Sequence, residues 1–385
     1  MTTAVLNFVC ELNPKIGGVP AGIELITTNL KRYDIESSVI SFGNCRDSIR
    51  MAMPRVERMM QSGVHVAWTN SFFRNPYGLG WNFNFTRKLK GDLNFSLVVL
   101  HQVYTLSTYI GYRFAKKRNI PYIVFPHGSL TTYHESDSRF IKLIAKKLII
   151  SRILQNSRAI LVTCESEKSD LKKHLRSKSV LIPYGSDIKV NLFNSNVDAA
   201  GKNLRIIFSG RFDKKKNLPL LITAMSQVVS RYPEIVLDIA GSGSQSEINE
   251  VKNIARNLEV EKNIVFHNWI EKSDMEKLLL SSRLLVLPSQ NENFALVVSE
   301  ALSSGVPCVV SKFVGTSDIV RKYKAGEVLD LLSSDSIATA ILKILEGDAN
   351  TYREAAIHAA REELEWSGIA IKWKNLIALI KLDFS

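Results

Sequence analysis

Short apolar runs rich in Val, Ile and Leu recur along the chain and alternate with longer stretches of helical period. In the first half they are Ala4–Cys10, Ser37–Phe42, Val64–Trp68, Ser96–His101, Tyr122–Phe125, Ala159–Thr163 and Val180–Pro183. In the second half they are Leu204–Ser209, Ile235–Ala240, Asn263–His267, Leu284–Pro288 and Val306–Val310. A run that is apolar at successive positions suits a strand covered on both faces, as in a parallel sheet flanked by helices. Repeated strand–helix units predict an α/β fold. Between Pro183 and Leu204 the rhythm lapses into a polar, weakly periodic segment, read as a linker. It then restarts, so the prediction is two doubly wound, Rossmann-like domains, residues 1–195 and 196–365. Each presents its strand C-terminal ends to ligands, and the two face a central cleft. A chain of 385 residues suits two or three domains.

Two helical stretches stand apart. Trp366–Leu382 is apolar and studded with lysine, and Phe140–Arg158 is amphipathic and basic. In the latter, Ile141, Ile144, Leu148 and Ile149 are expected against the sheet, while the lysine face is compatible with anionic lipid. Charge is uneven along the chain. Residues 1–195 hold 27 Lys/Arg against 13 Asp/Glu, a net +14, and the remainder is close to neutral within the total of +13. Such a field concentrates nucleic acid, an anionic bilayer surface or phosphorylated substrates, or serves solubility alone.

Several chemistries are excluded. Cys10, Cys45, Cys164 and Cys308 are far apart, which argues against a zinc site and suits a reducing compartment. The start has no basic region before its apolar stretch and reads as a first strand, not a signal peptide. No apolar run approaches the ~18 residues of a membrane span. The expectation is a cytoplasmic protein, with peripheral contact at the inner face of the plasma membrane as a further reading. There is no D-x-D metal motif, G-x-S-x-G elbow or G-K-[ST] loop, and Gly241-Ser242-Gly243 lacks the third glycine of a dinucleotide fingerprint.

Four local patterns at predicted strand ends suit one diphosphate-bearing ligand. Ile16-Gly17-Gly18-Val19-Pro20 follows the first strand and precedes a helix. Glycine lets backbone approach a phosphate and the helix start offers N–H groups, although many such turns bind nothing. Ser209 to Asn217, with Gly210, Arg211 and Lys216, follows the first strand of the second domain. Arg and Lys held there can clamp two phosphates without a metal, whereas a bare lysine run is a solvated turn. Pro288 to Ala301 leads from a strand into a helix expected to begin near Phe294, with Glu292 before it and Glu300 inside it. The dipole end suits an anion. Glu300, among small apolar neighbours, suits paired hydroxyls such as a ribose, against the ordinary reading of helix carboxylates as surface charge. Phe125-Pro126-His127-Gly128-Ser129 ends a strand of the first domain. His127 there can hydrogen-bond a sugar or assist proton transfer. His101, also at a strand end, is a weaker candidate, and a lone histidine is more often structural.

Together these residues resemble the retaining glycosyltransferases of family 4 (group 1), which have the GT-B fold. The match spans nearly the whole chain. It is carried above all by Glu292 and Glu300 with seven residues between them, then by Gly210-Arg211 with Lys216-Asn217, by Gly17-Gly18 and by Pro126-His127-Gly128. The resemblance implies transfer of a hexose-type sugar from a nucleoside-diphosphate sugar, with retention, to a glycan or lipid-linked acceptor, as in bacterial surface-polysaccharide or lipopolysaccharide biosynthesis. It implies no metal and no other cofactor. Arg211 and Lys216 are implied to hold the donor diphosphate, Glu300 the ribose, and Glu292 and His127 the donor sugar. Gly17 and Gly18 approach the phosphates from the first domain. Gly210, Asn268, Asn293, Phe294, Ala295 and Leu296 fall to the donor site, and His101 and Tyr104 to the acceptor side. The C-terminal helix, 366–385, is implied to pack back on the first domain.

The chain departs from the family pattern at three places. Ala295 stands where Gly is usual, Asn268 replaces a common Gly in His267-Asn268-Trp269, and Asp318 stands for Glu. A methyl at residue 295 is tolerable unless the backbone there needs positive φ. Three rivals remain. A nucleotide-sugar epimerase on the same fold is opposed by the Glu292/Glu300 pattern. A basic nucleic-acid-binding protein would need aromatic or Arg stacking platforms, and the basic stretches are Lys-rich with aliphatic partners. A catalytically dead homologue is opposed by the retention of Arg211, Lys216, Glu292 and Glu300.

Overall fold

The computed structural model describes residues 3–14, 17–43, 46–70, 95–130, 140–189, 204–268 and 270–382, with side chains in the helix 140–156 described from Leu148 onward. The chain forms two compact units: Met1–Tyr184 with Trp366–Ser385, and Gly185–Glu365.

The first unit holds β1 (Thr3–Val9), β2 (Ile35–Gly43), β3 (His65–Asn70), β4 (Leu97–His101), β5 (Tyr122–Phe125), β6 (Ile160–Val162) and β7 (Ser179–Leu181). They form one parallel sheet in the order β3-β2-β1-β4-β5-β6-β7. Phe8 pairs with Ile40 on one side and Leu100 on the other, and all three are fully buried. The helix Gly18–Leu30 buries Ile23, Ile26 and Leu30, a helical 3–4 spacing. Each such side chain contributes about 1.5–3 kcal/mol when removed from water.

The helix Trp366–Leu382 belongs to this unit, although 181 residues of the second unit precede it. Trp366, Ile369, Ala370, Trp373, Leu376, Ile377 and Ile380 form its buried stripe. Lys374 reaches Asp34 at 3.6 Å and Lys381 reaches the Thr3 hydroxyl at 3.5 Å, so the helix lies along the start of the sheet.

The second unit holds β8 (Arg205–Ser209), β9 (Val236–Ala240), β10 (Ile264–His267), β11 (Leu284–Leu287), β12 (Cys308–Ser311) and β13 (Gly326–Leu329), ordered β10-β9-β8-β11-β12-β13. In both sheets the order reverses beside the first strand, between β1 and β4 and between β8 and β11. Crevices at such switch points, outside the strand C-terminal ends, are where open α/β sheets take ligands. The segment after Tyr184 goes with this unit: Ser186 N–H donates to Leu364 O at 2.7 Å and Lys189 N–H to Ser303 O at 3.0 Å.

The structure corrects the sequence pattern twice. β13 was not foreseen. It is four residues long, opens on a glycine and carries Glu327, so it lacks the apolar run of the inner strands. In the helix Phe140–Asn156, Leu148 and Ile149 are exposed, at 68% and 45%, and Ile150, Ile153 and Leu154 are buried instead. The apolar stripe is rotated from the face expected, because Leu148 to Ile150 are all aliphatic and sequence alone does not fix the phase. Ile141 and Ile144 lie outside the residues whose side chains are described, and Ile16, Trp269 and the linker from 190 to 203 lie outside the described residues. Among the described residues no helix is long and apolar enough to cross a membrane.

Candidate active site

In the second unit the site grows from the turns after β8 and β11. Past Ser209 the chain turns through Gly210, at φ 156°, where a Cβ would press on the Lys216 side chain at 3.0 Å. The turn Lys214–Lys216 ends on Asn217, which adopts left-handed geometry at φ 53°. Asn217 Nδ2 donates to Pro288 O at 2.9 Å, and Gln290 N–H donates to Lys215 O at 2.7 Å. These bonds lock the two turns together. Glu292 is fixed by its own backbone, its N–H donating to Phe313 O at 3.0 Å and its carbonyl accepting from Gly315 N–H at 2.9 Å.

The tethered turns bring Lys216 and Glu292 together, Nζ to Oε1 at 2.9 Å, with Lys215 Nζ 4.0 Å from the same oxygen. Arg211 points outward, half exposed, and touches Asp213 at 3.4 Å. Two lysines beside Glu292, with the Arg211–Asp213 pair on the same turn, form a strand-end shelf that can receive a polyanion.

The next helix runs Leu296–Ser303, two residues later than expected. Phe294 is buried, Asn293 and Leu296 are half-buried, and Ala295 caps the helix at φ 62°, ψ 76° with no side-chain cap. Residue 295 therefore does need positive φ, and the methyl is not free: the left-handed region costs an L-residue roughly 1–2 kcal/mol. Glu300 lies one turn into this helix. Burial pushes its carboxyl pKa up. Lys189 and Lys272 act the other way, and Glu276 adds to the rise. Lys189 is itself paired with Glu276 at 2.7 Å. Asn268, past β10, is exposed.

In the first unit Gly17 precedes the first helix at φ 109°, and a Cβ built at Gly18 would meet nothing within 4 Å, so packing does not demand glycine there. Tyr104 is 41% exposed in the turn after β4. His101 ends β4 and is buried, and His127 follows β5 with left-handed backbone, φ 51°. The two imidazoles meet, His101 Nδ1 to His127 Nε2 at 2.8 Å. Asn7 Oδ1 lies 3.0 Å from His101 Nε2, and the Tyr184 hydroxyl lies 2.6 Å from His127 Nδ1. Burial lowers the His101 pKa to about 3. Burial, then the His101 neighbour, holds His127 well below its ordinary value, so both rings are neutral near pH 7.

Sequence reasoning missed three residues that shape these sites. Glu167, buried, accepts from Gly128 N–H at 2.7 Å through one oxygen and from Thr163 N–H at 2.8 Å through the other, pinning the His127–Gly128 turn to the end of β6. Its only trace in the sequence is an acid soon after a strand-end threonine. Tyr184, an aromatic beside Gly185 at the end of the last run of the first half, could have been singled out. Lys189, inside the polar linker, had no signal.

Comparison with known proteins gives the family. Residues 16–190 match the family model for Glycosyltransferase Family 4, and residues 193–363 that for Glycosyl transferases group 1. The D-inositol 3-phosphate glycosyltransferase of Corynebacterium aurimucosum is 25% identical over 321 residues, 78% of this chain and 75% of that protein. A glycosyltransferase from Rickettsia africae superposes with a TM-score of 0.76 at 17% identity over 98% of each chain. Anabaena Alr3699/HepE, in complex with UDP and glucose, superposes with a TM-score of 0.74 at 16% identity, over 98% of this chain and 99% of its own. With both halves matched and the two sheets ordered as described, the chain belongs to the group 1, family 4 glycosyltransferases, a retaining hexosyltransferase family with the GT-B fold.

Proposed function

We propose that the protein moves a hexose from a nucleoside-diphosphate sugar to a hydroxyl of a glycan or lipid-linked saccharide, without a metal. The observation that carries this reading is the Lys216–Glu292 pair, held on the locked turns after β8 and β11 with Arg211 beside Gly210. Arg211 and Lys216 take the diphosphate, Glu300 the ribose hydroxyls and Glu292 the sugar. Gly17 and Gly18 serve the phosphates from the first unit, where His127 serves the sugar, and His101 and Tyr104 lie on the acceptor side.

The bond from the anomeric carbon to the diphosphate oxygen breaks, and its electron pair goes to the diphosphate. The acceptor oxygen bonds to the same face of that carbon, and its proton passes to the departing phosphate. Negative charge grows on the leaving group. Arg211, Lys216 and the N-terminus of the helix Leu296–Ser303 stabilise it more in the transition state than in the ground state. Preorganised charge of this kind can do what a divalent cation does elsewhere.

The excess of positive charge in residues 1–195 supports an acceptor carried on an anionic leaflet, as in surface-polysaccharide assembly. Binding to anionic vesicles that weakens with salt is the expected behaviour, and salt-insensitive binding or none counts against it.

The test is calorimetric titration of UDP, GDP and ADP without metal, then of their sugar conjugates, with Glu300→Ala as control. The UDP and glucose in the Anabaena structure put the uridine nucleotides first. Tight binding of one nucleotide, abolished in the variant, is expected. Binding of none overturns the donor assignment.

A further inference from the structure

The hydrogen-bond chain through His127 has a direction that its end residues fix. Asn7 Nδ2 donates to Ser38 O at 3.2 Å, which leaves Asn7 Oδ1 as an acceptor. His101 Nε2, 3.0 Å away, must therefore carry the proton. A neutral His101 then offers a lone pair at Nδ1, so His127 Nε2 carries its proton and donates across 2.8 Å. Neutral His127 in turn offers a lone pair at Nδ1, which accepts from the Tyr184 hydroxyl at 2.6 Å. Every bond runs the same way, from Tyr184 to Asn7, and both ring nitrogens of His127 are engaged within the protein.

We infer that Tyr184 is a positioning residue for sugar transfer: its hydroxyl locks His127 and His101 as Nε2–H tautomers and holds the His127–Gly128 turn in its left-handed form. This inference rests on the proposed transferase reading for its effect on turnover.

Independent packing supports it. A Cβ on Gly22, in the first helix, would fall 2.4 Å from Tyr184 Cε1 and 2.7 Å from its hydroxyl, so the helix leaves room for that ring by lacking a side chain. Phe125 stacks on His127 at 3.8 Å between ring centroids, and His127 and Tyr184 are near-parallel at 11°. The titratable groups facing this histidine are His101, Tyr184 and, through the Gly128 N–H, Glu167. In this arrangement His127 meets substrate as a fixed surface and through its turn, not as a titrating acid or base.

The experiment is ring-nitrogen NMR of the full protein labelled with 15N-histidine, together with kinetics, for wild type, Tyr184→Phe and Gly22→Ala. Tyr184→Phe keeps the ring and removes one donor, and Gly22→Ala keeps every relay atom and pushes the Tyr184 ring away. The wild type is expected to show both histidines as Nε2–H with no titration between pH 5 and 8 (about 1.5 units either side of an ordinary imidazole). In both variants the His127 Nδ1 signal shifts, while burial and the His101 neighbour keep the ring neutral across that range. kcat falls about tenfold with donor KM unchanged, the weight of one buried hydrogen bond. An unchanged His127 spectrum in Tyr184→Phe overturns the relay, and an altered spectrum with wild-type kcat overturns the positioning role. If the wild type transfers no sugar, the transferase reading fails, and the spectra of the free protein still decide the relay.

Discussion

Lys216 Nζ and Glu292 Oε1 lie 2.9 Å apart with their side chains only 11% and 14% exposed, so each neutralises the other inside the candidate site. A diphosphate that engages Lys216 must share it with Glu292, and a sugar that engages Glu292 competes with Lys216. Removing one partner strands the other. Lys216→Ala is expected to lose about 1–3 kcal/mol of stability, with Lys215 a partial substitute, and about 10²–10³ in kcat. The double variant Lys216→Ala/Glu292→Ala recovers stability but not turnover. Denaturation curves and steady-state kinetics on the three proteins check this, and recovery of turnover in the double variant removes Lys216 from the clamp.

Arg211 is the opposite case. It is 49% exposed and its contact with Asp213 is long, at 3.4 Å, so it contributes little to the fold. Arg211→Ala is expected to leave stability within about 0.5 kcal/mol of wild type and to lower turnover by about 10²–10³. A melting curve that matches wild type beside a collapsed rate separates a ligand-facing charge from a structural one. Near-normal turnover overturns the assignment.

The residues brought together on the turns after β8 and β11 were legible in sequence because they cluster. Gly210 to Asn217 and Pro288 to Glu300 each follow one strand directly, so chain order nearly equals spatial order. The histidine relay was not. His127 meets Tyr184 across 57 residues and Gly128 meets Glu167 across 39, and pairing between the ends of different strands leaves no periodic mark. The same limit explains β13, an edge strand whose Glu327 reaches sideways to Lys343 at 2.8 Å. Edge positions tolerate polar residues because one side of the strand has no sheet neighbour. The left-handed backbone at Ala295 was hidden for another reason: alanine gives no hint of φ, whereas the glycine usual in the family does.

That backbone makes a stability prediction of unusual sign. Exchanging alanine for glycine in ordinary structure costs roughly 0.5–1 kcal/mol. At φ 62° the exchange removes strain of about 1–2 kcal/mol instead, against the extra entropy of the unfolded chain. Ala295→Gly should therefore be neutral or up to about 1 kcal/mol more stable by urea denaturation, with nucleotide affinity retained. A clear loss of stability means that the methyl packs usefully and that the left-handed geometry carries little strain.

In the proposed donor site, Glu300 sets stability against nucleotide binding. Burial raises its carboxyl pKa, so over the interval between the ordinary glutamate value and the raised one the folded state binds more protons than the unfolded state. Stability then falls as pH climbs through that interval and stays lower above it. The nearby Lys189 and Lys272 reduce this penalty without abolishing the rise. A ribose diol needs the carboxylate as acceptor, so nucleotide affinity should move the other way, weakening as pH falls through the raised value. Glu300→Gln removes the charge at nearly constant shape. It is expected to unfold at a higher temperature than wild type at pH 7.5, to lose that advantage toward pH 4, and to bind nucleotide weakly at both. Melting temperatures and calorimetric affinities across this range check all three. A variant less stable than wild type at pH 7.5 shows that Lys189 and Lys272 do more than offset desolvation, and that Glu300 is held as a structural ion pair.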